Sequence, residues 1–155
     1  MKWQLGTRAI ALLLSLSGVA ISFSAQAALG GGRETVLIDH KALATESVTV
    51  SNLPLYQVHE LKHANGALVR EYVSPAGTVF AIHWEGKMAP NLSQLLGQHY
   101  ADYLQALSAE RHSHHMVQIK QGGLVVTHVQ YLRSFTGSAY VPALVPTNVD
   151  PSQLN

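Results

Sequence analysis

The chain has 155 residues, with 10 Lys+Arg, 9 Asp+Glu, 9 His and no cysteine. The near balance of charge excludes a basic footprint for nucleic acid, and the lack of thiols excludes disulfides, thiolate metal sites, haem attachment and thiol catalysis. Histidine is the one compositional excess.

The first residues read as a secretory signal peptide. Lys2 and Arg8 give a positive start, and Ala9–Phe23 is an apolar run too short and too interrupted by Ser and Gly for a comfortable membrane span. Ser24-Ala25-Gln26-Ala27 then supplies a small-x-small cleavage pattern, which places the cut after Ala27. The competing reading is an uncleaved anchor. Cleavage removes two of the 10 basic residues and no acid, so 8 minus 9 leaves the mature chain at −1. The expected location is the periplasm or the exterior, with no membrane span once the signal is gone.

Residues 28–46 are expected to form a glycine-rich, flexible leader and an edge segment, with 47–145 as a single domain and 146–155 as an irregular, proline-marked tail. Within the domain, Ser47–Ser51 (SVTVS) alternates as a short strand, and Pro54 ends it. Tyr56–Trp84 then reads as a three-stranded meander. Its turns, His63-Ala64-Asn65-Gly66 and Ser74-Pro75-Ala76-Gly77, each suit a type I turn followed by a left-handed Gly. With that turn form, Glu60 faces Arg70, His59 faces Glu71 and Val58 faces Tyr72. In the second hairpin Tyr72 faces Phe80, Arg70 faces Ile82 and Leu68 faces Trp84. The expected core face is therefore Val58, Leu68, Tyr72, Phe80, Ile82 and Trp84.

Asn91 caps a helix whose apolar stripe is Leu92, Leu95, Leu96, Tyr100, Tyr103, Leu104 and Leu107. Met116–Lys120, a turn at Gln121-Gly122-Gly123 and a long strand over Leu124–Phe135 follow. Thr136-Gly137-Ser138 breaks that strand, and Ala139–Val145 adds a short edge segment. The expected fold is α+β: an antiparallel sheet of five or six strands under one long amphipathic helix, in the order β-β-β-β-α-β-β.

Arg70–Gly86 (REYVSPAGTVFAIHWEG) and Pro90–Tyr103 (PNLSQLLGQHYADY) form a recognisable pattern, together with Leu29-Gly30-Gly31, Tyr56–Leu61 (YQVHEL) and Phe135–Pro142 (FTGSAYVP). On these residues the chain resembles a bacterial secreted family known as domain of unknown function 2844. The resemblance covers nearly all of the mature chain and implies a small exported protein of one domain. It brings no activity, ligand or catalytic residue with it.

Two histidine constellations are candidate metal sites for Zn, Cu or Ni. His112, His114 and His115 leave the helix together, and two of them share a face whether the segment is extended or helical. The alternative is a solvated helix end, where His suits the dipole. In the inferred register His59, Glu71 and His83 share a sheet face, a carboxylate beside imidazoles; the alternative is a polar, solvated face. No nucleophile elbow or phosphate loop accompanies them, so no catalytic residue is assigned. The favoured reading is a non-enzymatic envelope domain that binds a protein or ligand, and the alternative is a histidine-based metal protein or metal-dependent enzyme. An exposed edge at Ser47–Ser51 or Ala139–Val145 would favour a partner bound by strand addition.

Overall fold

A computed structural model describes residues 29–42, 45–109 and 116–154. The architecture is α+β. Among these residues seven antiparallel strands form one sheet: β1 (Thr45–Asn52), β2 (Gln57–His63), β3 (Leu68–Val73), β4 (Val79–Gly86), β5 (Met116–Gln121), β6 (Leu124–Tyr131) and β7 (Ser134–Tyr140). Their order in space is β1-β2-β3-β4-β7-β6-β5, two meanders joined where β4 pairs with β7. Helices α1 (Arg33–Ala42), α2 (Leu92–Leu96) and α3 (Tyr100–Ala109) complete the chain order α-β-β-β-β-α-α-β-β-β.

The sheet has more strands than expected because the long strand over Leu124–Phe135 is a hairpin. Tyr131 pairs with Ser134 across a two-residue turn at Leu132-Arg133, and neither turn residue has a positive φ. Such a turn carries none of the Asn-Gly or Gly-Gly chemistry that marks two-residue hairpins. Gly137 does not break β7; it lies within it, and Ala139 is at the sheet's centre rather than its edge. The chain leaves the sheet after Tyr140 and enters a 3₁₀ turn at Pro142–Leu144.

Both meander turns take the bulged form. Gly66 and Gly77 have φ of 80° and 85°, and their N–H groups donate to the carbonyls of His63 (2.9 Å) and Ser74 (2.8 Å). The first hairpin has the expected register: Glu60 opposite Arg70, His59 opposite Glu71 and Val58 opposite Tyr72. The second does not. Val73 pairs with Val79 but Tyr72 pairs with Ala81, so Phe80 is an extra residue in β4. This bulge advances the rest of the strand by one, setting Arg70 opposite His83 and Val69 opposite Trp84.

That shift divides the expected core face between two cores. On one side Ile82, Trp84, Val69, Leu61, Val126 and Ile119 meet the helices. On the other, Tyr72, Phe80 and Ala81 are covered by Leu154 and the partly buried Val145 and Val149 of the C-terminal segment. Tyr56 meets Tyr72 and Phe80 edge-on, with centroids at 5.8 and 5.9 Å. Burial there pushes the Tyr72 hydroxyl up to about 12.

The folded unit also extends past 47–145 at both ends. Leu29 is 1 % exposed, so the expected flexible leader packs into the core. Its N–H donates to the Leu95 carbonyl (2.9 Å). Gly30 N–H donates to the Val79 carbonyl (2.8 Å), and Val79 N–H returns a bond to Gly31 (2.9 Å). Helix α1, absent from the expected order, follows at once and buries Thr35 and Val36. The signal-peptide assignment, residues 1–27, lies outside the described residues.

Asn91 caps α2 by accepting from Gln94 N–H. Gly97 then turns the chain with φ 50° and ψ −121°, and a 3₁₀ turn, Gly97–His99, separates α2 from α3. The expected single helix is therefore two, with the second rotated. Leu104 falls outside and Ala106 falls inside, beside Tyr103.

Trp84 lies across the backbone of Gly137 on the neighbouring strand. A Cβ at Gly137 would stand 2.5 Å from Trp84 Cζ2 and 2.6 Å from His128 Cβ. Gly137→Ala is expected to cost about 2 kcal/mol by overpacking, read as a lower urea midpoint with a red-shifted Trp84 emission. An unchanged midpoint would show that this close approach does not hold the strands together.

Candidate functional site

The sheet's two faces differ in kind. Helices and the main core cover the face that carries His59, Glu71 and Trp84, whereas the C-terminal segment covers only part of the other. The uncovered part carries alternate residues of successive strands: Glu60 and Lys62 of β2, Leu68 and Arg70 of β3, His83 and Glu85 of β4, and Thr136 and Ser138 of β7.

Arg70 is its centre. Its Nε donates to Glu60 Oε2 at 3.0 Å, and its Nη2 lies 3.3 Å from Glu85 Oε1. One cation thus occupies both carboxylates. Lys62, Lys87 and Arg133 have no carboxylate partner among the described residues, and all three line a cleft of about 540 Å³ with Ser134 and Thr136. A second cleft of about 290 Å³ on the same face joins His83 to Lys120, Thr127 and Ser138, with Ser152 of the C-terminal segment at its rim. The arrangement offers cations and hydroxyls to an anionic ligand.

The bulge at Phe80 dissolves the expected His59–Glu71–His83 group. His59 and Glu71 remain cross-strand neighbours on the helix-covered face, where Glu71 is only 1 % exposed. His83 is opposite Arg70 on the other face. Among the described residues no three His, Asp or Glu side chains gather closely enough to hold a metal ion. His112, His114 and His115 lie outside the described residues. Tyr100 and Tyr103 stack on each other at 6.0 Å, and Tyr103 is buried in the core with Trp84.

Sequence reasoning singled out neither Lys62, Lys87 nor Arg133. Lys62 was legible as the residue alternating with Glu60 on β2. Arg133 was hidden by the unmarked turn that brings it over the cleft.

Residues 25–154 match a family model described as a protein of unknown function (DUF2844). No curated protein and no solved structure matches the chain. No helix among the described residues is long and apolar enough to cross a membrane.

Two imidazoles make the fold sensitive to acid. Burial lowers the pKa of His59 below 6.5, and the nearby Arg33 lowers it further. Burial and then Arg70 lower that of His83, with Glu85 acting weakly in the opposite sense. A group whose folded value is depressed is neutral in the fold, so the unfolded chain binds more protons between the folded value and 6.5. Stability therefore falls as pH drops below about 7 and levels off once the folded values are passed. The urea midpoint is expected to decline as pH falls below about 7, and the His59→Gln/His83→Gln variant to show a shallower decline. Parallel declines would remove these two groups as the cause.

Proposed function

We propose, for a chain that belongs to the DUF2844 family of proteins of unknown function, a non-enzymatic binding role in the cell envelope after export. The open sheet face is the binding surface. The carrying observation is the cleft lined by Glu60, Glu85, Lys62, Lys87 and Arg133, whose three cations have no carboxylate partner among the described residues while the adjacent Arg70 pairs with both Glu60 and Glu85. Such a cleft favours an anion, because a bound carboxylate or phosphate replaces water around three cations and accepts charge-assisted hydrogen bonds from them. The hydroxyls of Ser134 and Thr136 beside them suit a hydroxyl-rich ligand. A volume of about 540 Å³ is that of a small-molecule site. These features together favour an acidic sugar unit of an envelope polymer. Export rests on the signal-like residues 1–27.

Two measurements test this reading. Mass spectrometry of the protein recovered from cells is expected to find a mature N-terminus at Ala28; an intact N-terminus would remove the cleaved-signal premise. Calorimetric titration with a galacturonate oligomer is expected to show binding that neutral galactose oligomers lack. Binding should weaken with added salt and fall by about tenfold or more in the Lys62→Ala/Lys87→Ala/Arg133→Ala variant, as expected when charge-assisted bonds are lost. Equal binding of acidic and neutral sugars, or of variant and wild type, would overturn the assignment of this cleft.

A further inference from the structure

Among the described residues, one edge of the sheet lacks the usual protection against pairing with another chain. Edge strands are blunted by lysine, proline, bulges or covering elements. At the far edge β5 carries Lys120. β1 has a bulge between Thr45 and Ser47 and one charge, Glu46, beside it. From Ser47 to Asn52 it is regular, uncharged and free of proline, and every residue but Val48 is exposed.

The sequence of that free edge is a palindrome, Ser47-Val48-Thr49-Val50-Ser51. We propose that β1 pairs with β1 of a second copy of this chain, antiparallel about a two-fold axis through Thr49 and perpendicular to the sheet. Thr49 then faces Thr49, Val48 faces Val50 and Ser47 faces Ser51, each a matched cross-strand pair. Glu46 falls opposite Asn52, so no like charges oppose. An axis through Val48 instead would set Glu46 against Val50, and one through Val50 would set Val48 against Asn52. Antiparallel pairing about a residue works whether that residue's own N–H and C=O or its neighbours' point outward.

The helix-covered side supplies a second reason for a copy rather than a foreign peptide. Val50 pairs with His59 and so lies on that side, 48 % exposed. Nearby, Leu37 of α1 is 65 % exposed and lines an apolar hollow with Val36 and His59. The perpendicular two-fold keeps both helix layers on one side, which brings the two α1 ledges next to each other over the new strand pair. An isologous contact of this kind closes at two copies, and the Lys120-bearing far edge does not extend it. One strand pair with a helix ledge is at the small end of interfaces, so the dimer dissociates on dilution.

The test is sedimentation velocity on the tag-free natural chain between about 1 and about 100 µM, a range set by an interface of that size. The wild type is expected to double its mass with concentration. Thr49→Lys and Thr49→Glu, each placing like charges opposite themselves, are expected to stay monomeric with unchanged far-UV circular dichroism. An equimolar mixture of the two should regain the doubled mass. Wild-type protein monomeric throughout would overturn the proposal and leave the edge to a different chain. So would a Thr49→Lys variant that dimerises like wild type, or a mixture of folded variants that stays monomeric. Hydrogen exchange on the wild type gives a check independent of the variants. The amides of 47–51 should gain protection over the range in which the mass doubles, and no gain there would also overturn it.

Discussion

The inserted Phe80 in β4 decides how the rest of the molecule is arranged. Upstream of it Val79 pairs with Val73 and faces the helices; downstream, Ile82 and Trp84 do the same, while Phe80 and Ala81 both belong to the smaller core. A single extra residue thus lets one strand serve two cores on opposite faces of one sheet. It also delivers Trp84 to the position opposite Gly137, where the indole lies over a strand with no side chain to displace it. The two meanders meet there, so the seam of the sheet is closed by the largest buried side chain packing on the smallest residue.

What was legible in the sequence was the chemistry that acts locally. Asn65-Gly66 and Pro75 with Gly77 specify their turns from within four residues, Gly122-Gly123 a third, and Asn91 a helix start. What was hidden depends on partners distant in the chain. No local signal separates a bulge at Phe80 from regular pairing, because both keep apolar residues in the strand. The choice is made by what waits on each face, the helices on one and Leu154 on the other. Leu132-Arg133 is a turn only because β7 must return along β6, and Gly97 divides a helix whose stripe of Leu and Tyr reads as continuous. The residues from Leu29 to Ala42 have little periodicity of their own. They are held by bonds to Val79 and Leu95 and by burial of Leu29 and Val36.

The site inherits this division. The Glu60–Arg70 pair follows from the first hairpin and was legible. The group His59–Glu71–His83 was not, because it needed correct register across the bulge. One shift of register exchanged a candidate metal cluster for a buried carboxylate on one face and an imidazole beside an arginine on the other. The unmatched cations around the cleft come from β2, the end of β4 and the β6–β7 turn. Their convergence is a property of strand order, and strand order is the feature that a single sequence specifies least.

The pairing of β4 with β7 has a consequence for how the chain reaches its fold. Its partners are separated by 49 residues, for Gly86 and Phe135, up to 59, for Ala81 and Tyr140. The first meander closes through short turns and forms quickly on its own scale, whereas the central seam waits for a long loop to close. Until β7 arrives, β4 is itself an open edge, with buried-type residues from Val79 to Trp84 along it. The early folding species therefore displays its most apolar strand at its boundary, a species prone to self-association. The rate at which the second meander docks sets how long that boundary stays open.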